Sequence, residues 1–117
     1  MRFSKWRSNA GLREFGGDPV SVEPAPVLLL EGASSARRQI RPALSLAVFV
    51  SAPSDVRLAR ALARDGDDSL AYRAYLERWR AAEDRHFTED GTAAHADLIV
   101  DGATAGGDDR FVRLRQP

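Results

Sequence analysis

Cysteine is absent, which excludes a disulfide framework and thiolate metal sites. Histidine occurs only at His86 and His95, so a zinc site is not expected. Lysine is almost missing as well: Lys5 is the only one, and every other basic residue is arginine. The planar fork of arginine suits phosphate oxygens, although an alanine- and arginine-rich coding bias gives the same composition. Neither sign of charge is in excess, because 17 basic and 17 acidic residues cancel. No chain-wide field then draws the protein to nucleic acid or to an anionic membrane, and any anion site must be local. The basic start MRFSKWRS is not followed by an apolar stretch of signal-peptide or membrane-spanning length, so a cytoplasmic protein is the expectation. Internal repeats and low-complexity tracts are also absent.

A length of 117 residues fits a single domain. The hydrophobic share is 44%, but much of it is alanine, which buries little area per residue. The core is expected to be thin.

Three short apolar runs punctuate the chain. Val27-Leu28-Leu29-Leu30 ends at Glu31-Gly32, Leu46 to Val50 ends at Ser51-Ala52-Pro53, and Leu98-Ile99-Val100 ends at Asp101-Gly102. Uniformly apolar runs closed by turn residues read as strands covered on both faces, the pattern of a parallel sheet. Gly11 to Pro26, with two Pro/Gly clusters, reads as loop with at most a short extended piece at Val20 to Val22. Ser34 to Ser45, interrupted by Pro42, allows only a short helix.

Two longer helices are expected between the second and third runs, giving connections long enough for parallel crossovers. The first starts near Pro53, with Asp55 at the positive end of the helix dipole, and stops before Gly66. On it Arg57, Arg60 and Arg64 share one stripe opposite Val56, Leu58, Ala59, Leu62 and Ala63. The second runs roughly from Ser69 to Phe87, with Ala71, Tyr72, Tyr75, Trp79, Ala82 and His86 on its apolar face and Arg73, Glu77, Arg78, Arg80 and Asp84 opposite. Ala103 to Asp109 is a small, acidic tail, and Phe111 to Leu114 is either a weak strand or disordered.

The carboxyl edge of an open parallel sheet is where ligands bind. A carboxylate at Glu31 can hold magnesium through water, and Gly32 lets backbone approach a ligand; a strand-ending turn with a solvated glutamate is the plainer alternative. The three-arginine stripe can clamp phosphates or be a solvated basic face. Arg60 and Arg64 are like charges four residues apart, a spacing that needs an answering acid, and Asp65 can supply one. His86 reads as a packed or hydrogen-bonded histidine, His95 as a loop residue, and Tyr75 and Trp79 as core.

The order VLLLEG, SLAVFVSAPSDVRLARALARDG, YLERWRAAEDRHF and ADLIVDG resembles the second half of uridine-kinase-like P-loop nucleoside kinases, over roughly Pro26 to Gly102. The run Arg57-x-x-Arg60-x-x-x-Arg64-Asp65 is its most specific element. The resemblance implies an α/β fold: a three-layer P-loop NTPase-like parallel sheet with flanking helices, incomplete because the first strand and phosphate loop are missing. It divides the chain into a loop-rich segment 1–25, a kinase-like part 26–102 and a flexible tail 103–117.

By the same resemblance Glu31 matches the acidic residue of the Walker-B-like strand near magnesium and substrate. Gly32, Arg57, Arg60, Arg64 and Asp65 then fall around the nucleotide phosphates. ATP and magnesium are the implied cofactors, and a nucleoside or similar small alcohol the implied acceptor, with neither nucleic acid nor membrane as partner. Some relatives carry Tyr-Asp-Trp on the substrate side, where this chain has Ser4-Lys5-Trp6. No Gly-x-x-x-x-Gly-Lys-Ser/Thr occurs, so the loop that cradles phosphates in that family is missing and the chain is expected to be inactive alone. The alternative is a non-catalytic module that binds an anion or pairs, with itself or another subunit, through its incomplete sheet.

Overall fold

The computed structural model describes residues 2–3, 6–9, 12–15, 20–21, 23, 25–104 and 113–115, with side chains at 23, 25–104 and 113. The chain divides into two units, Met1–Glu31 and Gly32–Pro117.

The first unit holds two antiparallel strand pairs. Strand β1 (Arg2–Phe3) pairs with β4 (Val20–Ser21), and β2 (Trp6–Asn9) pairs with β3 (Leu12–Phe15). The β2–β3 register sets Trp6 opposite Phe15 and Arg7 opposite Glu14, residue types that favour an antiparallel ladder. Strand β3 corrects the reading of 11–26 as loop, whereas the short extended piece near Val20 is present. These strands are too short to carry a periodic signal, and only their cross-strand pairing defines them.

The run Val27 to Leu30 is not a strand. Val27 is 74% and Leu29 87% exposed. Apolar composition alone does not make a strand without a neighbour to pair with, and prolines at 24 and 26 remove two amide donors from this stretch.

The second unit carries mixed helix and strand. Strand β5 (Val48–Ser51) lies parallel to β6 (Leu98–Asp101), with Val48 opposite Leu98 and Ser51 opposite Asp101. Helices α1 (Ser54–Asp65) and α2 (Leu70–Asp90) lie between them in the chain. Strand β7 (Arg113–Arg115) adds antiparallel to β6, because the stretch from β6 is too short for a crossover helix. The expected parallel sheet is therefore parallel only across β5 and β6, and among the described residues β5 is its edge.

Helix boundaries follow local chemistry closely. Pro53 caps the start of α1, and Gly66 ends it in the left-handed conformation (φ 66°) with its N–H bonded to the Leu62 carbonyl. Ser69 caps α2, its Oγ accepting from the Tyr72 N–H at 3.2 Å. Helix α2 runs past Phe87 because the stop signal is Gly91 (φ 66°), whose N–H returns to the Phe87 carbonyl. In line with the expectation of no more than a short helix, 34–45 holds successive turns and one short 3-10 helix, Arg41–Ala43.

Packing is sparse. Among the described residues Ala47, Leu76, Ala96 and Ile99 form the buried apolar set, joined by Thr92, and no large side chain is fully enclosed. Phe49 of β5 meets Phe87 of α2 edge-to-face, with ring centroids 5.2 Å apart. The inward face of α2 therefore matches the expected one only in part. Leu76 is buried and Phe87 half-buried, as are Tyr72, Tyr75 and His86 of the expected face, while Ala71, Ala82 and Trp79 are exposed. At the base of the sheet, the Ala47 N–H donates to Asp97 Oδ2 at 2.7 Å, and the Asp97 N–H donates to the Ala47 carbonyl at 2.9 Å.

Candidate functional site

Helix α1 springs from the carboxyl end of β5, and of its three arginines Arg60 reaches the turn that follows Asp101, the residue opposite Ser51. Each guanidinium is answered from within the second unit. Arg57 bridges to α2, with Nη1 3.2 Å from Glu83 Oε2 and Nη2 3.2 Å from Asp84 Oδ1. Arg60 donates through Nη1 and Nη2 to the backbone carbonyls of Gly102 and Ala103. Arg64 grips Asp65 with two bonds, Nε to Oδ1 at 2.6 Å and Nη2 to Oδ2 at 2.8 Å, the bidentate form that gives the strongest geometry.

Asp65 does supply the acid that the arginine spacing requires, and the Tyr72 hydroxyl donates to it as well. The two donors hold the Asp65 carboxyl down to about 2, Arg64 contributing most. The Tyr72 phenol is pushed up, chiefly by its hydrogen bond to Asp65. Tyr72 also stacks on Tyr75, with centroids 5.8 Å apart. Tyr72 had been readable from the sequence only as part of a helix face; its role at the α1–α2 junction depends on the chain reversing at Gly66.

Asp101 is the second residue whose role comes from the fold. Its Oδ1 accepts from the Ala103 N–H at 2.7 Å and from the Thr104 N–H, and its Oδ2 accepts from the Thr104 hydroxyl. Those bonds, the hydroxyl first, hold the Asp101 carboxyl below its ordinary value. The Gly102 N–H donates to the Ser51 carbonyl at 2.7 Å. A Cβ on Gly102 would come within 2.7 Å of Val50 Cγ1, so only glycine lets the chain leave β6 this close to β5. Asp101, Gly102 and Arg60 thus close the carboxyl edge of the β5–β6 pair.

Glu31 and Gly32 lie apart from this arrangement in the chain, at the junction of the two units. Glu31 is exposed and follows an irregular segment instead of a strand. Gly32 has φ 143° and open space around it, and its carbonyl accepts from the Ser35 N–H and hydroxyl. Among the described residues no group of three His, Cys, Asp or Glu side chains gathers to hold a metal ion.

His86 packs against the Phe87 ring at 5.7 Å, and its buried Nε2 has no hydrogen-bond partner. His95 donates Nδ1–H to the Gly91 carbonyl at 2.8 Å. Trp79 is 49% exposed and donates Nε1–H to Glu83 at 3.2 Å, which corrects its placement in the core. No family model, curated protein or solved structure matches the chain.

Proposed function

We propose that this chain is the C-terminal part of an ATP-dependent, uridine-kinase-like phosphotransferase fold, inactive alone, whose complete form transfers a γ-phosphoryl group to a nucleoside or similar small alcohol. The observation that supports it most is the parallel pairing of Val48–Ser51 with Leu98–Asp101 across two intervening helices. The resemblance expects the runs at 27, 46 and 98 to be neighbouring parallel strands; the second and third pair in this way, whereas Val27 to Leu30 forms no strand, and the arginine run lies on the helix that leaves Val48–Ser51. In that family the phosphate-loop strand lies between the strands that match Val27 to Leu30 and Leu46 to Val50; of these two only the latter is a strand here, and β5 is an edge of the described sheet.

The division of labour follows from charge and reach. Arg57, Arg60 and Arg64 would exchange their internal partners for phosphate oxygens when a nucleotide is present, as charge clamps that stabilise the developing charge. Asp65 competes for Arg64 and keeps it pre-aligned until then. Glu31 would supply the acidic group toward magnesium, which when bound neutralises phosphate charge; that role requires ligands outside the described set. Without Gly-x-x-x-x-Gly-Lys-Ser/Thr in the sequence, backbone amides to cradle the phosphates are missing.

Titration calorimetry with magnesium-ATP tests this. The chain is expected to bind weakly, and Arg60→Ala and Arg64→Ala to weaken what remains; affinity indifferent to both variants contradicts the clamp role. Strong nucleoside-dependent ATP turnover by the chain contradicts its inactivity.

A second reading is favoured by one observation. Val48 and Val50 of the edge strand β5 are 45% and 62% exposed, and Leu46 just before it 62%; an edge strand that also exposes apolar side chains is a template for pairing with another chain. A self-associating module derived from such a kinase has this surface. Light scattering after gel filtration should then give a dimer that Val50→Lys disperses, and a monomer at every concentration contradicts it.

A further inference from the structure

Residues 32–44 connect the unit boundary to the stretch before β5, and their backbone-to-backbone hydrogen bonds stay within the segment. Their backbone bonds are local turns: Ser35 N–H to the Gly32 carbonyl at 3.1 Å, Arg41 N–H to the Arg37 carbonyl at 3.0 Å, and Leu44 N–H to the Arg41 carbonyl at 3.1 Å. None of these residues is buried. The segment carries Arg37, Arg38 and Arg41 and no acid.

Among the described residues, the hydrogen bonds that leave this segment end on Glu89 and Asp90, in the last turn of α2. Asp90 Oδ1 accepts from the Arg38 N–H at 2.9 Å, and Asp90 Oδ2 accepts from Arg41 Nη2 at 2.6 Å. Arg41 Nη2 also reaches the Asp90 carbonyl, and Arg38 Nη2 the Glu89 carbonyl, each at 3.2 Å. Thr92 Oγ1 donates to the same Asp90 Oδ2 at 3.0 Å and fixes the carboxylate from its other side. The Arg41 and Asp90 side chains are 20% and 10% exposed.

The physical logic is that of a helix C-terminus. Its last carbonyls lack partners within the helix and carry partial negative charge, and two guanidiniums of the segment answer them. A single carboxylate adds the charge and also satisfies a backbone N–H of the segment, so one side chain concentrates the attachment. The rest of the unit is held differently, by β5–β6 pairing and the Phe49–Phe87 contact.

We propose that residues 32–44 form a strap latched by Asp90, able to lift from the end of α2 while β5, β6 and both helices stay folded. Arg41 and, one turn back on α2, His86 are the charged groups that act on the Asp90 carboxylate, while Arg38 reaches it through its backbone N–H. The latch is independent of any nucleotide chemistry at the arginines of α1.

Limited trypsin digestion of the full chain, paired with amide hydrogen exchange, tests it. In Asp90→Ala, cleavage after Arg37 and Arg38 is expected to rise about tenfold, the size expected when a charge-assisted attachment governing local opening is removed. Amides of α2 and β6 should keep their protection. Asp90→Asn and Thr92→Val, milder changes, should give smaller increases in the same bonds. Cleavage unchanged in all three variants overturns the latch. So does faster cleavage that appears only together with lost protection across α2, since the segment would then belong to one cooperative unit with the helix.

Discussion

At the scale of single residues, the second unit is organised by carboxylates that each answer several donors. Asp65 takes two bonds from Arg64 and one from Tyr72, and its carboxyl is held at about 2 against an ordinary 3.8. A carboxyl lowered on folding stabilises the fold above its unfolded value and loses that contribution as pH falls through the folded one. Between pH near 4 and pH near 2, stability should therefore decline, with Asp65 one contributor. Carboxyl NMR titration should place the Asp65 midpoint near 2 and find it raised in Tyr72→Phe; a midpoint near 4 in the unaltered chain contradicts the arrangement. Gly102 makes a different kind of claim. Gly102→Ala forces a methyl against Val50 and the Ser51 carbonyl, and the expected loss is about 1–3 kcal/mol in urea unfolding. No change would mean the β6 exit does not approach β5 so closely. The arginine stripe and the Asp65 answer were legible in the sequence because helix spacing fixes them. The roles of Tyr72 and Asp101 were not, because each depends on a turn that brings the chain back on itself.

Elements were legible wherever a local signal marks an end. Pro53, Gly66, Ser69 and the apolar runs at 46–50 and 98–100 place α1, the start of α2 and the parallel pair, observed at Val48–Ser51 and Leu98–Asp101, to within two residues. Gly91, where α2 ends in a left-handed residue with His95 Nδ1 3.2 Å from where a Cβ would lie, carries the same kind of signal. Gly91→Ala should cost about 1–2 kcal/mol from the left-handed conformation alone, read as a lower thermal midpoint; an unchanged midpoint would contradict the cap. What failed was anything decided by a partner. Val27 to Leu30 has strand composition and no strand, whereas Trp6–Asn9 and Leu12–Phe15 have weak composition and a full register. The inward face of α2 was legible in part: Tyr72, Tyr75 and His86 are half-buried, but polar and apolar residues alternate around this helix, and Leu76 with Phe87, not Trp79, join them.

For the molecule as a whole, a core of mainly small side chains leaves little reserve. Ile99 is among the largest buried groups, so Ile99→Ala should cost about 2–5 kcal/mol, a large share of a total typically about 5–15 kcal/mol; calorimetric unfolding checks it, and a loss well under that range would place Ile99 outside the core. The same thinness is what an incomplete sheet predicts, with an apolar row on β5 left exposed for a strand that this chain does not contribute among its described residues. Supplying that strand is the most direct test of the central claim. The chain should be mixed with a separately produced segment carrying a β-strand and glycine-rich phosphate loop from a uridine-kinase-like enzyme, and nucleoside-dependent ADP release followed. The account predicts that the two pieces associate and that release appears only in the mixture, and is lost with Val50→Lys; two folded pieces that neither associate nor turn over ATP, or release by the chain alone, would contradict it.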